Sequence, residues 1–331
     1  MKKWRLLIIV LVGVAFVSAA MVVRSQWLRR PEVGSGPAGP KVPSEPFEKT
    51  WTERKVLLLG IGDSVTRGFG AGDRAHSYFN RLVSNPRDEY ADMKGKCLSA
   101  VLPNLKTRND AVNCSTSLQH LQYLEDRLKT QPDDVFGLVV MTSGGNDLIH
   151  NYGKTPPKED AMYGATLEQA KPWIANFEKR LDKMVDLIES KFPGGCMIFL
   201  ADIYDPTDGV GDAQVAGFPR WPDCMKILDA YNDVIRRCAA KHKSVRLVPM
   251  YDEFLGHGFH HADRWRKHYD KEDPYFWYYG NVEDPNHRGY DAIRRLFLLE
   301  MIKVKDKIGG GRGKKDEGSG EASGQRTLDG E

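Results

Sequence analysis

The chain has 331 residues and a net charge of +3, with 41% hydrophobic and 28% charged residues. At roughly 100–200 residues per domain this makes one large unit or two small ones. Composition excludes a wholly disordered chain, a collagen and a small disulfide scaffold. The charge excess is local: residues 1–50 carry eight Lys/Arg against three Asp/Glu, whereas residues 51–308 carry 36 against 37. A near-neutral central region lacks the basic footprint of a nucleic-acid binder, so no nucleic-acid partner is expected.

In chain order, Lys2, Lys3 and Arg5 precede an uncharged run from Leu6 to Val23, and Arg24, Arg29 and Arg30 follow it. Residues 1–30 therefore read as a signal peptide, with Ser18-Ala19-Ala20 as a small-residue cleavage site, or as a single membrane anchor. Either places the remainder outside the cytoplasm, secreted or periplasmic in the first case and held at a membrane in the second. Residues 31–50 contain Pro31, Pro37, Pro40, Pro43 and Pro46 with three glycines, and read as a linker that does not pack. The folded domain is expected over 51–308. Residues 309–331 hold eight glycines and charges of both signs, the composition of a solvated tail.

Within 51–308, continuous apolar runs alternate with amphipathic ones. Lys55–Ile61, Val135–Thr142, Cys196–Ile203 and Val245–Met250 read as buried parallel strands, with Ala111–Asn113 as a short fifth. Leu167, Ala170, Ile174, Phe177, Leu181, Met184 and Ile188 recur at helical spacing and predict a helix over about 167–191. Residues 117–129, 224–241 and 290–307 read similarly. This alternation predicts an α/β fold, a three-layer α/β/α sandwich on a central parallel sheet. Sites in such sheets form at the carboxyl ends of the strands. The five cysteines are an odd number and include no CxxC pair, which argues against a cysteine zinc site. Cys224 and Cys238 on one helix stand roughly 21 Å apart, too far to bridge.

The first strand runs into Gly60-Ile61-Gly62-Asp63-Ser64. Neither a dinucleotide fingerprint nor a Walker A loop fits, because Val65 stands where the third glycine belongs and no GKS or GKT follows. What remains is a serine on a tight strand-to-helix turn, with its hydroxyl and N–H at the sheet edge. An N-cap serine is the bland alternative. The strand from Val135 ends in Gly144-Gly145-Asn146-Asp147, where an Asn amide suits an oxyanion donor and a plain turn is the alternative. Asp284-Pro285-Asn286-His287 sets a carboxylate three residues before an imidazole. In that spacing the Asp could orient the ring that activates a nucleophile.

Together these three segments resemble the GDSL, or SGNH, hydrolase superfamily over about residues 55–305. The resemblance implies a flavodoxin-like fold and metal-free, cofactor-free ester hydrolysis. It makes Ser64 the nucleophile and Asn146 an oxyanion donor. The third donor would be a backbone N–H in 111–117, where no glycine stands; Ser115 is the candidate. The fifth block admits two registers. In one, Asp284 and His287 keep the usual Asp and His roles, and this register is preferred because a serine nucleophile needs a base. In the other, Asp284 stands where the family has its His, and Asn281 replaces the orienting Asp. His257 in Gly256-His257-Gly258-Phe259-His260-His261 is the substitute base. A metal on His257, His260 and His261 is the less favoured reading of that loop.

Asp205, Asp208 and Asp212 lack EF-hand spacing and read as a solvated turn rather than a calcium site. Residues 275–279 are Tyr-Phe-Trp-Tyr-Tyr, suited to stacking on a sugar, lining an acyl pocket or plain packing. Residues 151–166 form an insertion of the kind that makes lids and specificity walls. The expected function is an extracytoplasmic serine esterase acting on a carbohydrate- or lipid-linked acyl group. The alternatives are an O-acyltransferase on the same scaffold and a binding module that lost its base.

Overall fold

The computed structural model describes residues 32–310. The N-terminal apolar run and nearly all of the glycine-rich tail lie outside the described residues. Five strands, β1 (Lys55–Ile61), β2 (Leu105–Asn109), β3 (Val135–Thr142), β4 (Cys196–Ala201) and β5 (Val245–Val248), form one sheet in the order β2-β1-β3-β4-β5, and every pairing is parallel. After β1 the chain steps outward to β2, then crosses to the other side of β1 to lay down β3. The carboxyl ends of β1 and β3 therefore flank a topological switch point, where loops diverge and leave a crevice.

The strands are apolar on both faces because both faces are covered. In β3, Leu138 and Val140 join a core with Tyr78, Leu82, Phe297 and Met301, while Val139 and Met141 face Phe177, Leu181, Met184 and Ile235 on the other side. The expected helix over 167–191 is Leu167–Lys191, started by a capping box between Thr166 and Gln169. Residues 224–241 form the helix Cys224–Lys241 as expected. The last long helix is His287–Ile302, beginning three residues earlier than the periodicity indicated and ending five earlier, with a separate turn at Lys305–Ile308. All five cysteines are free thiols.

Two expectations are corrected. Ala111–Asn113 is loop; the second strand is Leu105–Asn109, an edge strand whose polar side chains hide it from a hydrophobicity reading. The proline-rich segment 32–50 packs on the domain as a strap. Ala38 and Val42 are buried in the core. Ala38 N–H donates to Asp291 (3.1 Å), and the Arg288 guanidinium donates to the carbonyls of Gly36 (3.2 Å) and Pro37 (2.9 Å). Apart from one 3-10 turn at Glu45–Phe47 the strap has no regular secondary structure to satisfy its carbonyls, and the arginines of the last helix meet several of them.

Candidate active site

Gly62 ends β1 with φ +146°, and a Cβ there would lie well inside contact distance of Thr142 on β3. Only glycine lets β1 turn this close to its neighbour. Asp63 follows as the cap of the short helix Ser64–Arg67. Its carboxylate accepts from the Val65 N–H (3.1 Å) and the Thr142 hydroxyl (3.0 Å). Ser64 is thereby held half-buried at the first helical position, at the carboxyl end of β1. Asn146 sits one strand over, in the short helix Gly145–Ile149 that follows β3. One N–H of its side chain donates to the Ser115 carbonyl (3.0 Å), leaving the second amide hydrogen. Asp147 is fully buried and clamps the two loops together: it accepts from the Ser117 N–H (2.7 Å) and hydroxyl, with Arg180 3.6 Å away.

Ser64 and Asn146 line one cavity of about 1150 Å³, counted to its open mouth. Its inner wall is apolar: Leu148, Ile149, Phe218, Trp221, Met225 and Leu228. The insertion 151–166 contributes Tyr152 and Tyr163. Tyr152 stacks on Phe218 (5.1 Å between centroids) and Tyr163 tilts over Trp221 (4.9 Å), so the insertion forms one wall together with the loop after β4. The rim beside Ser64 is acidic: Asp63, Glu283 and Asp284 all line it.

Ser115 does not fill the oxyanion role expected of it. Its N–H donates to the Val112 carbonyl (3.3 Å), closing a turn. Its hydroxyl contacts the Val112 carbonyl and His120 Nε2 (both 2.7 Å). His120, which sequence reasoning missed, bridges Ser115 to the Ser143 hydroxyl (2.8 Å) from full burial. Desolvation holds its pKa down at about 3, so it is a neutral tie between two loops. A polar residue at helical spacing among apolar ones was its only signal.

The fifth block takes the register that the sequence disfavoured. Asn286 caps the last helix, its side chain accepting from the N–H groups of Arg288 (2.9 Å) and Gly289 (3.1 Å). Residue 287 therefore turns away with the helix, while Asp284 stays in the extended stretch before the cap. His287 stands among cations. Burial first, then Arg81, His76 and Arg288, lower its proton affinity, and no hydrogen bond joins it to Asp284. The Asp284 carboxylate instead lies against the Ser64 hydroxyl, which stabilises its charged form. The contact is not aligned as a full hydrogen bond, and Asp284 Oδ1 is buried without a partner. Oδ2 accepts from Asn281 Nδ2 at 2.6 Å.

His257 is no closer to the reaction centre. Its ring stacks flat on Trp277 (3.5 Å between centroids), Nδ1 meets the Tyr275 carbonyl (3.2 Å), and it lines a separate cavity under the strap. His260 is paired with Asp212 (3.0 Å) and Asp263 (2.8 Å), and His261 Nδ1 with the Gly258 carbonyl (2.9 Å). The three rings have separate partners and do not converge. All nine histidines fall within the described residues, and none lines the Ser64 cavity. Asp205 and Asp208 spend their oxygens on the backbone: Asp208 alone accepts from Gly256 (2.9 Å), Gly258 (2.8 Å) and His260 (2.8 Å). Among the described residues, the groups spaced for a metal share His242 at the opposite, amino edge of the sheet. There Lys241 already occupies Asp182 (2.6 Å).

In the aromatic run, Phe276, Trp277 and Tyr278 are core residues. Tyr279 is exposed and meets Phe69 edge-on at 5.8 Å. The Phe69 N–H donates to the Ser64 carbonyl (3.0 Å) and the Tyr279 N–H to the Asp284 carbonyl (2.7 Å), so this exposed pair neighbours the Ser64 and Asp284 segments without lining the cavity.

A model of the GDSL-like lipase/acylhydrolase family matches residues 61–292. No curated protein matches the chain. Similar solved structures include an acetylxylan esterase from Geobacillus stearothermophilus, at 18% identity over 76% of this chain and 96% of that one, with a TM-score of 0.49. An alpha/beta hydrolase enzyme from the metagenome of Lake Arreo, Spain, shares 19% identity over 76% and 97%, with a TM-score of 0.45. A psychrotrophic esterase, EstA, from Pseudoalteromonas sp. shares 14% over 75% and 97%, at 0.44.

Proposed function

The chain belongs to the GDSL-like lipase/acylhydrolase family, and we propose that it hydrolyses carboxylic esters outside the cytoplasm through an acyl-enzyme on Ser64. One observation carries this: Ser64 and Asn146, from adjacent strand ends at the switch point, open into the same cavity. Ser64 Oγ attacks the ester carbonyl. The developing oxyanion is met by the Ser64 N–H at the helix start and by the remaining amide hydrogen of Asn146. Collapse expels the alcohol, and water releases the acyl group.

The apolar wall supports a particular partition of the substrate. Leu148, Phe218, Trp221 and Leu228 would receive an acyl chain longer than acetyl, which alone could not cover them. The alcohol portion leaves past Phe69 and Tyr279, whose exposed faces suit a sugar or a glycerol-like group. Location outside the cytoplasm rests on the basic head and the apolar run Leu6–Val23.

The test is hydrolysis of p-nitrophenyl esters from acetate to octanoate by the full chain in detergent. We expect kcat/KM to rise from acetate to butyrate or beyond. Ser64→Ala should lose at least about 10³-fold. Wild-type turnover by a folded Ser64→Ala variant would overturn the proposal. A second reading, a binding module without catalysis, is favoured by the missing imidazole beside Ser64. It predicts ester binding with no turnover, unaltered by Ser64→Ala.

A further inference from the structure

We propose that Asp284 is itself the general base for Ser64, in a serine–aspartate pair oriented by Asn281. This rests on the esterase reading above and names the group that makes it work without histidine.

The geometry selects Asp284 from three carboxylates at the rim. Glu283 has both oxygens engaged, one by the Tyr152 hydroxyl and one by Asn281 Nδ2 (3.2 Å). Asp63 takes both the Val65 N–H and the Thr142 hydroxyl on Oδ1, which ties this carboxylate to the start of its helix and to β3. Asp284 is 2% exposed and keeps one oxygen without a partner, while the Ser64 hydroxyl lies against the same carboxylate. A buried, unpartnered acceptor beside a nucleophile's hydroxyl is a strained arrangement unless it has a proton to accept. In the free enzyme such catalytic contacts are commonly misaligned and tighten when substrate binds.

The carboxylate is also held in place. Asn281 Nδ2 fixes Oδ2 at 2.6 Å, and Asn281 Oδ1 accepts the Asp284 N–H at 3.2 Å, a reciprocal pair. The Asp284 carbonyl accepts from the Tyr279 N–H (2.7 Å), and Asn286, two residues on, donates its own N–H to the Trp277 carbonyl (2.8 Å). These bonds leave the side chain little freedom to leave Ser64.

An exposed aspartate is a weak base for a serine. Burial strengthens Asp284, against the opposing hydrogen bonds from Ser64 and Asn281. The groups facing it are Asp63 from the β1 turn, Glu283 from its own segment, the Cys114 thiol from the loop after β2, the Tyr204 hydroxyl from the loop after β4 and the Tyr290 hydroxyl from the last helix. All are acidic or neutral, so no cation lowers its proton affinity, and burial raises it.

The chemistry balances with no further reactant. As Ser64 Oγ bonds to the carbonyl carbon, its proton passes to Asp284 Oδ1 and the carbonyl π electrons move to the oxyanion. When the tetrahedral adduct collapses, the bond to the alcohol oxygen breaks and Asp284 returns the proton to that oxygen. In deacylation water replaces serine as proton donor, and Asp284 hands the proton back to Ser64.

The experiment uses the full chain in detergent, with p-nitrophenyl butyrate hydrolysis and labelling of Ser64 by a fluorophosphonate read over pH 5–9. Asp284→Asn should lower kcat by about 10²–10⁴-fold with KM nearly constant, and slow labelling in step. His287→Ala and His257→Ala, which remove rings that do not line the Ser64 cavity, should keep kcat within about twofold of wild type in protein shown to be folded. Asp284→His should be active, with an acid limb moved to the imidazole range near 6.5. Full activity in Asp284→Asn with Ser64→Ala inactive, loss in either histidine variant, or an unmoved limb in Asp284→His would each overturn the base assignment and leave the esterase reading standing. A folded wild type that neither hydrolyses nor labels would overturn both.

Discussion

Gly62 and Asp63 show how much of the site is set by single residues. Gly62 lets β1 turn against Thr142, and Asp63 then starts the helix that presents Ser64. Asp63 does this from a buried position, where desolvation above all raises its pKa to about 7; the Thr142 hydrogen bond works against the rise and the Asp284 charge adds to it. Glu283 is raised to about 7 by the same two causes, burial and Asp284. An acid that holds its proton more tightly folded than unfolded stabilises the fold while protonated. Its contribution is full below about pH 4 and is lost as pH rises to about 7. Thermal denaturation should therefore give a falling Tm between pH 4 and 7. Asp63→Asn, which keeps the cap's acceptor, should flatten that slope and gain about 1–3 kcal/mol at pH 8. An unchanged pH profile in this variant would show that Asp63 titrates as an ordinary carboxyl.

At the scale of elements, the strap 32–50 belongs to the fold although its composition reads as linker. Removing it takes Ala38 and Val42 out of the core and strips Arg288 of its carbonyl partners. A chain starting at residue 51 should be less stable than one starting at residue 32 by at least about 3 kcal/mol, measured by urea denaturation. Equal midpoints would mean the strap is only laid on the surface. The strap was illegible because its contacts join residues more than 250 apart in sequence, and nothing local in proline and glycine announces an arginine partner. Four of the five strands and the long helices were legible because burial on both faces writes itself into continuous apolar runs and a period near 3.6. β2 escaped because an edge strand is held by its backbone. Ser64 and Asn146 could be found from strand-end position. The base could not, because the Asn286 cap, a matter of backbone phase, separates residue 284 from residue 287. Ser115 failed for a related reason: which N–H a turn consumes is not written in residue type.

Across the whole molecule, the last helix is the keystone, and its polar face is buried as thoroughly as its apolar one. Asp291 is fully buried among Arg81 (3.4 Å), Arg294 and Arg295 (3.0 Å), with Glu89 and Asp92 answering the outer charges and the Ala38 N–H on its second oxygen. Removing one partner from such a network strands the others, so Asp291→Asn should cost about 3–5 kcal/mol in chemical denaturation. A loss under about 1 kcal/mol would mean that solvent reaches the arginines. The strap has a further consequence, for reach. If Leu6–Val23 stays in a bilayer, a free linker would tether the hydrolase by residues 24–50, about 90 Å at full extension. With the strap docked from residue 32, only residues 24–31 remain as leash, about 30 Å at most. Under that proposal, a hydrolase on so short a leash would work on what lies at the membrane surface and would not range outward from it.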